Sequence, residues 1–68
     1  MDIREVKKLV NIEPLDIKSV EITAKKWQEI RPIIIELGVW FDISECYNKL
    51  LLRCEVNDYT QSFIESLL

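Results

Sequence analysis

The chain has 68 residues, of which 49% are hydrophobic, one is glycine and two are proline. This length allows one small domain. The sequence has no stretch of about 20 apolar residues that could cross a bilayer, and its composition is that of an ordered chain. A net charge of −3 and a pI near 4.8 argue against general affinity for nucleic acids.

The charge is unevenly distributed along the chain. Residues 1–35 carry seven Lys/Arg and six Asp/Glu, whereas residues 36–68 carry two and six. The acidic residues of the second half do not form a block, so ordinary solvated faces account for them. The N-terminus lacks the basic and apolar regions of a secretory signal, so a cytoplasmic setting is expected.

The N-terminal third predicts a helix followed by a strand. Apolar residues at helical spacing, among them Ile3 and Val6, predict an amphipathic helix over residues 1–10. The residue before Pro14 avoids helical geometry, so this helix should end before it. An imperfect apolar alternation then predicts a strand over residues 17–22, which should pair beside the hairpin described below.

A long helix is predicted over residues 24–37. Thr23 is a suitable N-cap, and Gly38 stands where a helix commonly ends in a left-handed residue. Pro32 removes one helical hydrogen bond, so a kink or a break is expected near it. Ile35 lies off the main apolar stripe, so either the N-terminal helix covers it or it belongs to an interface.

Residues 39–56 predict a β-hairpin with strands 39–46 and 49–56. The turn is Tyr47-Asn48, where Asn48 tolerates the positive φ that such turns require, or a longer loop of about three to five residues in the same register. One face then pairs apolar residues, namely Val39 with Val56, Phe41 with Cys54, and Ile43 with Leu52. The other face pairs Trp40 with Glu55, Asp42 with Arg53, and Ser44 with Leu51.

A helix over residues 43–56 is the competing interpretation. Ile43, Tyr47 and Leu50 also fall at helical spacing, and that alternative would give a small all-α bundle. The β-branched and aromatic run that follows Gly38 favours strands. With a last helix over residues 58–68, lined by Tyr59 and Phe63 among others, the predicted fold is α+β in the order α-β-α-β-β-α.

The face of the hairpin turned away from the core is the predicted site. Trp40 and Leu51 are large apolar groups there, and their rim is formed by Asp42, Arg53 and Glu55. An aromatic residue with a polar rim is typical of protein-binding hot spots. The alternatives are that the N-terminal helix covers Trp40 and Leu51, or that the two side chains lie flat on the sheet. The open edge of the hairpin also offers a route to a homodimer by sheet extension.

The sequence predicts neither an enzyme nor a cofactor site. Two cysteines, Cys46 and Cys54, have no histidine to complete a metal site and are expected to be free thiols. Asp42 and Glu55 form a carboxylate pair, but an exposed polar surface would keep both ionised. We therefore expect a non-enzymatic protein-protein interaction module, acting as a small acidic inhibitor, antagonist or subunit of a larger complex whose partner has a basic surface.

A nucleic-acid-associated protein is the alternative function. The order of elements over residues 24–68 resembles the C-terminal part of a KH-type module. KH domains bind the nucleic-acid backbone through a GXXG loop, and this chain has only Gly38, so the binding element is missing. The all-α interpretation would resemble a helix-turn-helix protein, but the acidic C-terminal half makes a poor recognition helix.

Overall fold

The computed structural model describes residues 2–12 and 14–68. It has an α+β fold in which helices cover one face of a three-stranded antiparallel sheet. The elements are α1 (Ile3–Lys7), β1 (Asp16–Ile22), α2 (Ala24–Leu37), β2 (Phe41–Cys46), β3 (Lys49–Val56) and α3 (Asp58–Leu67). The predicted fold class and element order are confirmed.

The hairpin has the predicted register. Strands β2 and β3 pair Phe41 with Cys54, Asp42 with Arg53 and Ile43 with Leu52, and the helical interpretation of residues 43–56 is wrong. Strand β2 begins two residues later than predicted, although the Glu55 N–H still donates to the Trp40 carbonyl at 3.0 Å. Regular pairing therefore fades at the start of β2 without loss of register.

Strand β3 lies at the centre of the sheet. It pairs with β2 on one side and with β1 on the other, giving the strand order β1-β3-β2. The register with β1 places Val20 opposite Leu52 and Ile17 opposite Glu55. Strands β1 and β2 are therefore the edge strands of the sheet, and each pairs with β3 alone.

Helix α2 spans the predicted residues and has the predicted ends. The Thr23 side chain accepts a hydrogen bond from the Lys26 N–H at 3.1 Å, and Gly38 adopts a left-handed φ of 83°. The helix runs unbroken through Pro32, so the expected break is absent. The carbonyl that loses its partner belongs to exposed Gln28, where water can replace the missing donor.

Helix α1 is shorter than predicted. It ends at Lys7, beyond which Leu9 and Ile12 N–H groups close successive turns with the carbonyls of Val6 and Leu9. Part of the predicted helix, Met1, lies outside the described residues. The Val6 side chain is completely buried, so this short helix is still anchored in the core.

Helix α3 buries much of the predicted face, with Ile64 in the core and Phe63 and Leu67 packed against it, but it adds Thr60 and leaves Tyr59 outside. Tyr59 is half exposed, whereas Thr60 and Ile64 are completely buried. Thr60 can be buried because its hydroxyl and N–H are hydrogen-bonded to Asn57 in a capping box. Apolar spacing alone could not reveal a buried threonine.

The core lies between the helices and the inward residues of the central strand. Leu52, Cys54 and Val56 of β3 are all buried. The core has two clusters of buried residues. Helix residues Val6, Ile34, Leu37 and Ile64 join Cys54 and Val56 in the first, and Ile30 joins Leu52 in the second. All three helices therefore pack on one side of the sheet.

Candidate protein-binding face

The sheet surface turned away from the helices is called the outer face. By strand alternation and the observed register it consists of Ile17, Ser19, Glu21, Trp40, Asp42, Ser44, Cys46, Lys49, Leu51, Arg53 and Glu55. None of these residues is fully buried. No helix of the described chain covers the outer face, since each helix packs into the core behind it.

Trp40 is the largest side chain of the outer face. It is 51% exposed, although its neighbour Val39 is buried in the core. The hydrogen bond between its carbonyl and the Glu55 N–H fixes its backbone against β3. The sheet therefore fixes the backbone of Trp40, while the residue is half exposed to solvent.

Ile17 adds a second large apolar side chain, which sequence analysis missed. It is 50% exposed and lies in the same cross-strand row as Glu55 and Trp40. Ile17 lies beside Glu55 because strand β1 pairs with β3 and not with β2. A signal was present in the sequence, because Ile17 is out of phase with Val20 and Ile22, the inward residues of that strand.

Two ion pairs neutralise much of the charge on the outer face. Arg53 donates to one Asp42 oxygen from Nε at 3.2 Å and from Nη2 at 2.5 Å. Lys49 Nζ lies 3.6 Å from a Glu21 oxygen. Such exposed pairs contribute at most about 1 kcal/mol, so their main effect is to orient side chains around the apolar groups.

Glu55 is left without a cation. The two partly buried carboxylates among the described residues are Asp42 and Glu55. Asp42 is paired with Arg53, whereas no ion pair within the described ranges includes Glu55. The outer face therefore has one unneutralised negative charge, and it lies between Ile17 and Trp40.

Five of the six predicted interface residues come together on the outer face. Trp40 and Leu51 lie there with Asp42, Arg53 and Glu55 around them, as the hairpin register requires. Ile35 lies instead on helix α2 and is 52% exposed. It is not covered by α1, but it is separated from the other five by the thickness of the domain.

The tip of the hairpin forms an open groove of about 470 Å³. Its lining consists of Glu21, Cys46, Tyr47, Asn48, Lys49 and Leu51. Tyr47 is 95% exposed and has a φ of 56°, a left-handed conformation to which tyrosine is poorly suited. The groove continues the outer face toward the turn through Leu51.

The two thiols are free, as predicted, and differ in their surroundings. Cys46 is exposed at the hairpin tip, whereas Cys54 is buried in the core. Burial raises the pKa of the Cys54 thiol, and the nearby Lys18 charge opposes that shift only in part. Cys54 is therefore held in its protonated, weakly nucleophilic form.

Neither a metal cluster nor a membrane span is found in the described part of the chain. Over residues 2–12 and 14–68, no three His, Cys, Asp or Glu side chains come together so as to hold a metal ion. No helix within these ranges is long and apolar enough to cross a bilayer. No protein-family model, curated protein or solved structure matches this chain.

Proposed function

We propose that the chain is a non-enzymatic protein-binding module that docks a partner on its outer face. The observation that carries this proposal is that two large apolar side chains of the outer face, Ile17 and Trp40, are half exposed in the same cross-strand row and are not covered by any helix of the described chain. Aromatic side chains in such settings dominate binding energies at protein interfaces. A small inhibitor, antagonist or complex subunit needs no more than such a surface.

A protein partner agrees better with the charges than a nucleic acid does. The outer face carries three carboxylates, Glu21, Asp42 and Glu55, and two cations that are already paired. Phosphate recognition requires available cations, since neutralisation of phosphates provides most of the affinity for nucleic acids. The outer face offers none, and so a protein with a complementary surface is the better candidate.

Capture with matched variants tests this proposal. The tagged chain, Trp40→Ala and Tyr59→Ala are incubated with an extract of the source cells, and bound proteins are quantified by mass spectrometry. Tyr59 is the control because it is 50% exposed, as much as Trp40, but belongs to α3 on the other side of the sheet. A partner should be retained by the wild type and Tyr59→Ala and lost with Trp40→Ala. Equal recovery by all three chains would contradict docking on the outer face.

Salt dependence separates the two forces that could hold the partner. Apolar docking on Trp40 should persist when the capture is repeated at about 1 M salt, where the screening length falls to about 3 Å. Binding through surface charge alone should disappear under the same conditions. Light scattering on the free chain, compared with Trp40→Ala, then shows whether a second copy already occupies the outer face.

A further inference from the structure

Glu55 lies between two apolar side chains on the outer face. In the cross-strand row that contains it, Ile17 stands on one side and Trp40 on the other. Neighbouring strands are about 4.8 Å apart, so the two apolar residues are separated by roughly 10 Å with the carboxylate between them. A partner side chain that approaches the carboxylate from solvent therefore meets an apolar group on either side of it.

The charge at this position is not balanced within the described chain. Arg53, the nearest outward cation on the same strand, is hydrogen-bonded to Asp42 through two of its nitrogens. Glu55 is partly buried and has no cation of its own among the described residues. A carboxylate that has lost part of its water shell without gaining a partner would gain from an incoming cation.

We propose that the partner is a protein segment that places an arginine over Glu55, where its guanidinium pairs with the carboxylate beside Ile17 and Trp40. This inference rests on the proposed function of the outer face. Arginine fits better than lysine because its planar group can stack on an indole while it donates to a carboxylate, and it is more weakly hydrated. The segment should also carry apolar residues that cover the exposed edge of Trp40.

A second copy of the chain is a poorer occupant. Both cations of the outer face, Lys49 and Arg53, already have partners within their own chain. Two outer faces placed against each other would bring together two uncompensated Glu55 carboxylates. Like charges that are partly desolvated together oppose association.

Peptide titrations followed by NMR test the arginine assignment. The isotope-labelled full chain is titrated with acetyl-Leu-Arg-Leu-amide and, as the uncharged match, acetyl-Leu-Gln-Leu-amide. The arginine peptide should shift the Trp40 indole and the amides of Ile17 and Glu55, and should bind about fivefold or more tightly than the glutamine peptide. The indole of Trp27, which packs on the core side, should not move.

Two charge variants complete the experiment. Glu55→Gln should abolish the preference for arginine, whereas Glu45→Gln should keep it, since Glu45 is exposed and points to the other side of β2. Survival of the preference in Glu55→Gln, or absence of shifts with either peptide, would overturn the proposal. Shifts that depend only on chain concentration would assign the outer face to a second copy instead.

The outcome also separates this inference from the proposed function. If both peptides shift Trp40 equally in wild type and Glu55→Gln, the arginine assignment fails while the outer face remains a binding surface. If Trp40→Ala also retains the captured partner, the outer face itself is the wrong site.

Discussion

The side-chain amide of Asn57 donates a hydrogen bond to the Ile12 carbonyl at 2.8 Å and to the Leu9 carbonyl at 2.6 Å. Its oxygen meanwhile accepts from the N–H groups of Tyr59 and Thr60 at the start of α3. One buried side chain therefore caps a helix and holds the segment between α1 and β1 against it. Val10 of the same segment also packs against the core, so the hydrogen bonds of Asn57 act together with an apolar contact.

We predict that Asn57→Asp destabilises the fold by about 1–3 kcal/mol. Aspartate keeps the capping oxygen but replaces the donor with an anion that faces carbonyl oxygens. Urea denaturation measures the change. The control is Asn48→Asp, the same substitution at the exposed hairpin turn, which should change stability by about 0.5 kcal/mol or less. Equal effects of the two would show that the contacts of Asn57 with the N-terminal segment contribute nothing.

Local patterns predicted the hairpin, whereas the contacts between distant segments could not be predicted. The register follows from alternation on two adjacent strands, and the Asp42–Arg53 pair agrees with it. Strand β1 could pair with either strand of the hairpin, since both offer unpaired backbone groups. The position of Ile17 beside Glu55 therefore could not be predicted. The bonds that Asn57 makes to residues 45 to 48 positions away have no signal in the sequence.

We predict that Tyr47→Asn stabilises the chain by about 0.5–1 kcal/mol, because a left-handed backbone is costly for most L-residues and asparagine tolerates it. Tyr47 is 95% exposed and has a φ of 56°, so little packing is lost on substitution. Thermal denaturation followed by circular dichroism measures the gain. Tyr47→Ala removes the ring but keeps the unfavourable backbone, and should give no such gain. A gain of the same size with alanine would attribute the effect to the side chain.

We predict that the ion pair between Lys18 and Glu65 makes stability depend on acid pH. Lys18 Nζ donates to a Glu65 oxygen at 2.9 Å, and this bond, helped by a second from Gln61, lowers the pKa of the Glu65 carboxyl in the folded chain. A depressed folded pKa stabilises the fold at pH above the usual carboxyl range. That stability is lost as the pH falls through the folded pKa.

Lys18→Met tests this dependence. Urea denaturation at several pH values between about 6 and 3 should show a shallower loss of stability for the variant than for the wild type. Lys25→Met is the charge-matched control, because Lys25 is exposed and has no ion pair within the described ranges. Parallel pH profiles for wild type and Lys18→Met would show that the bond does not affect folding.

The two tryptophans should differ in what they contribute to stability. Trp27 packs against both core clusters, with its ring 5.5 Å from that of Phe41, whereas Trp40 is 51% exposed on the outer face. We predict that Trp27→Ala destabilises the fold by about 3 kcal/mol or more, and that Trp40→Ala costs about 1 kcal/mol or less. Urea denaturation of the two variants under identical conditions measures both values. If Trp40→Ala proved as damaging as Trp27→Ala, its indole would be needed for folding and would not be free to bind a partner.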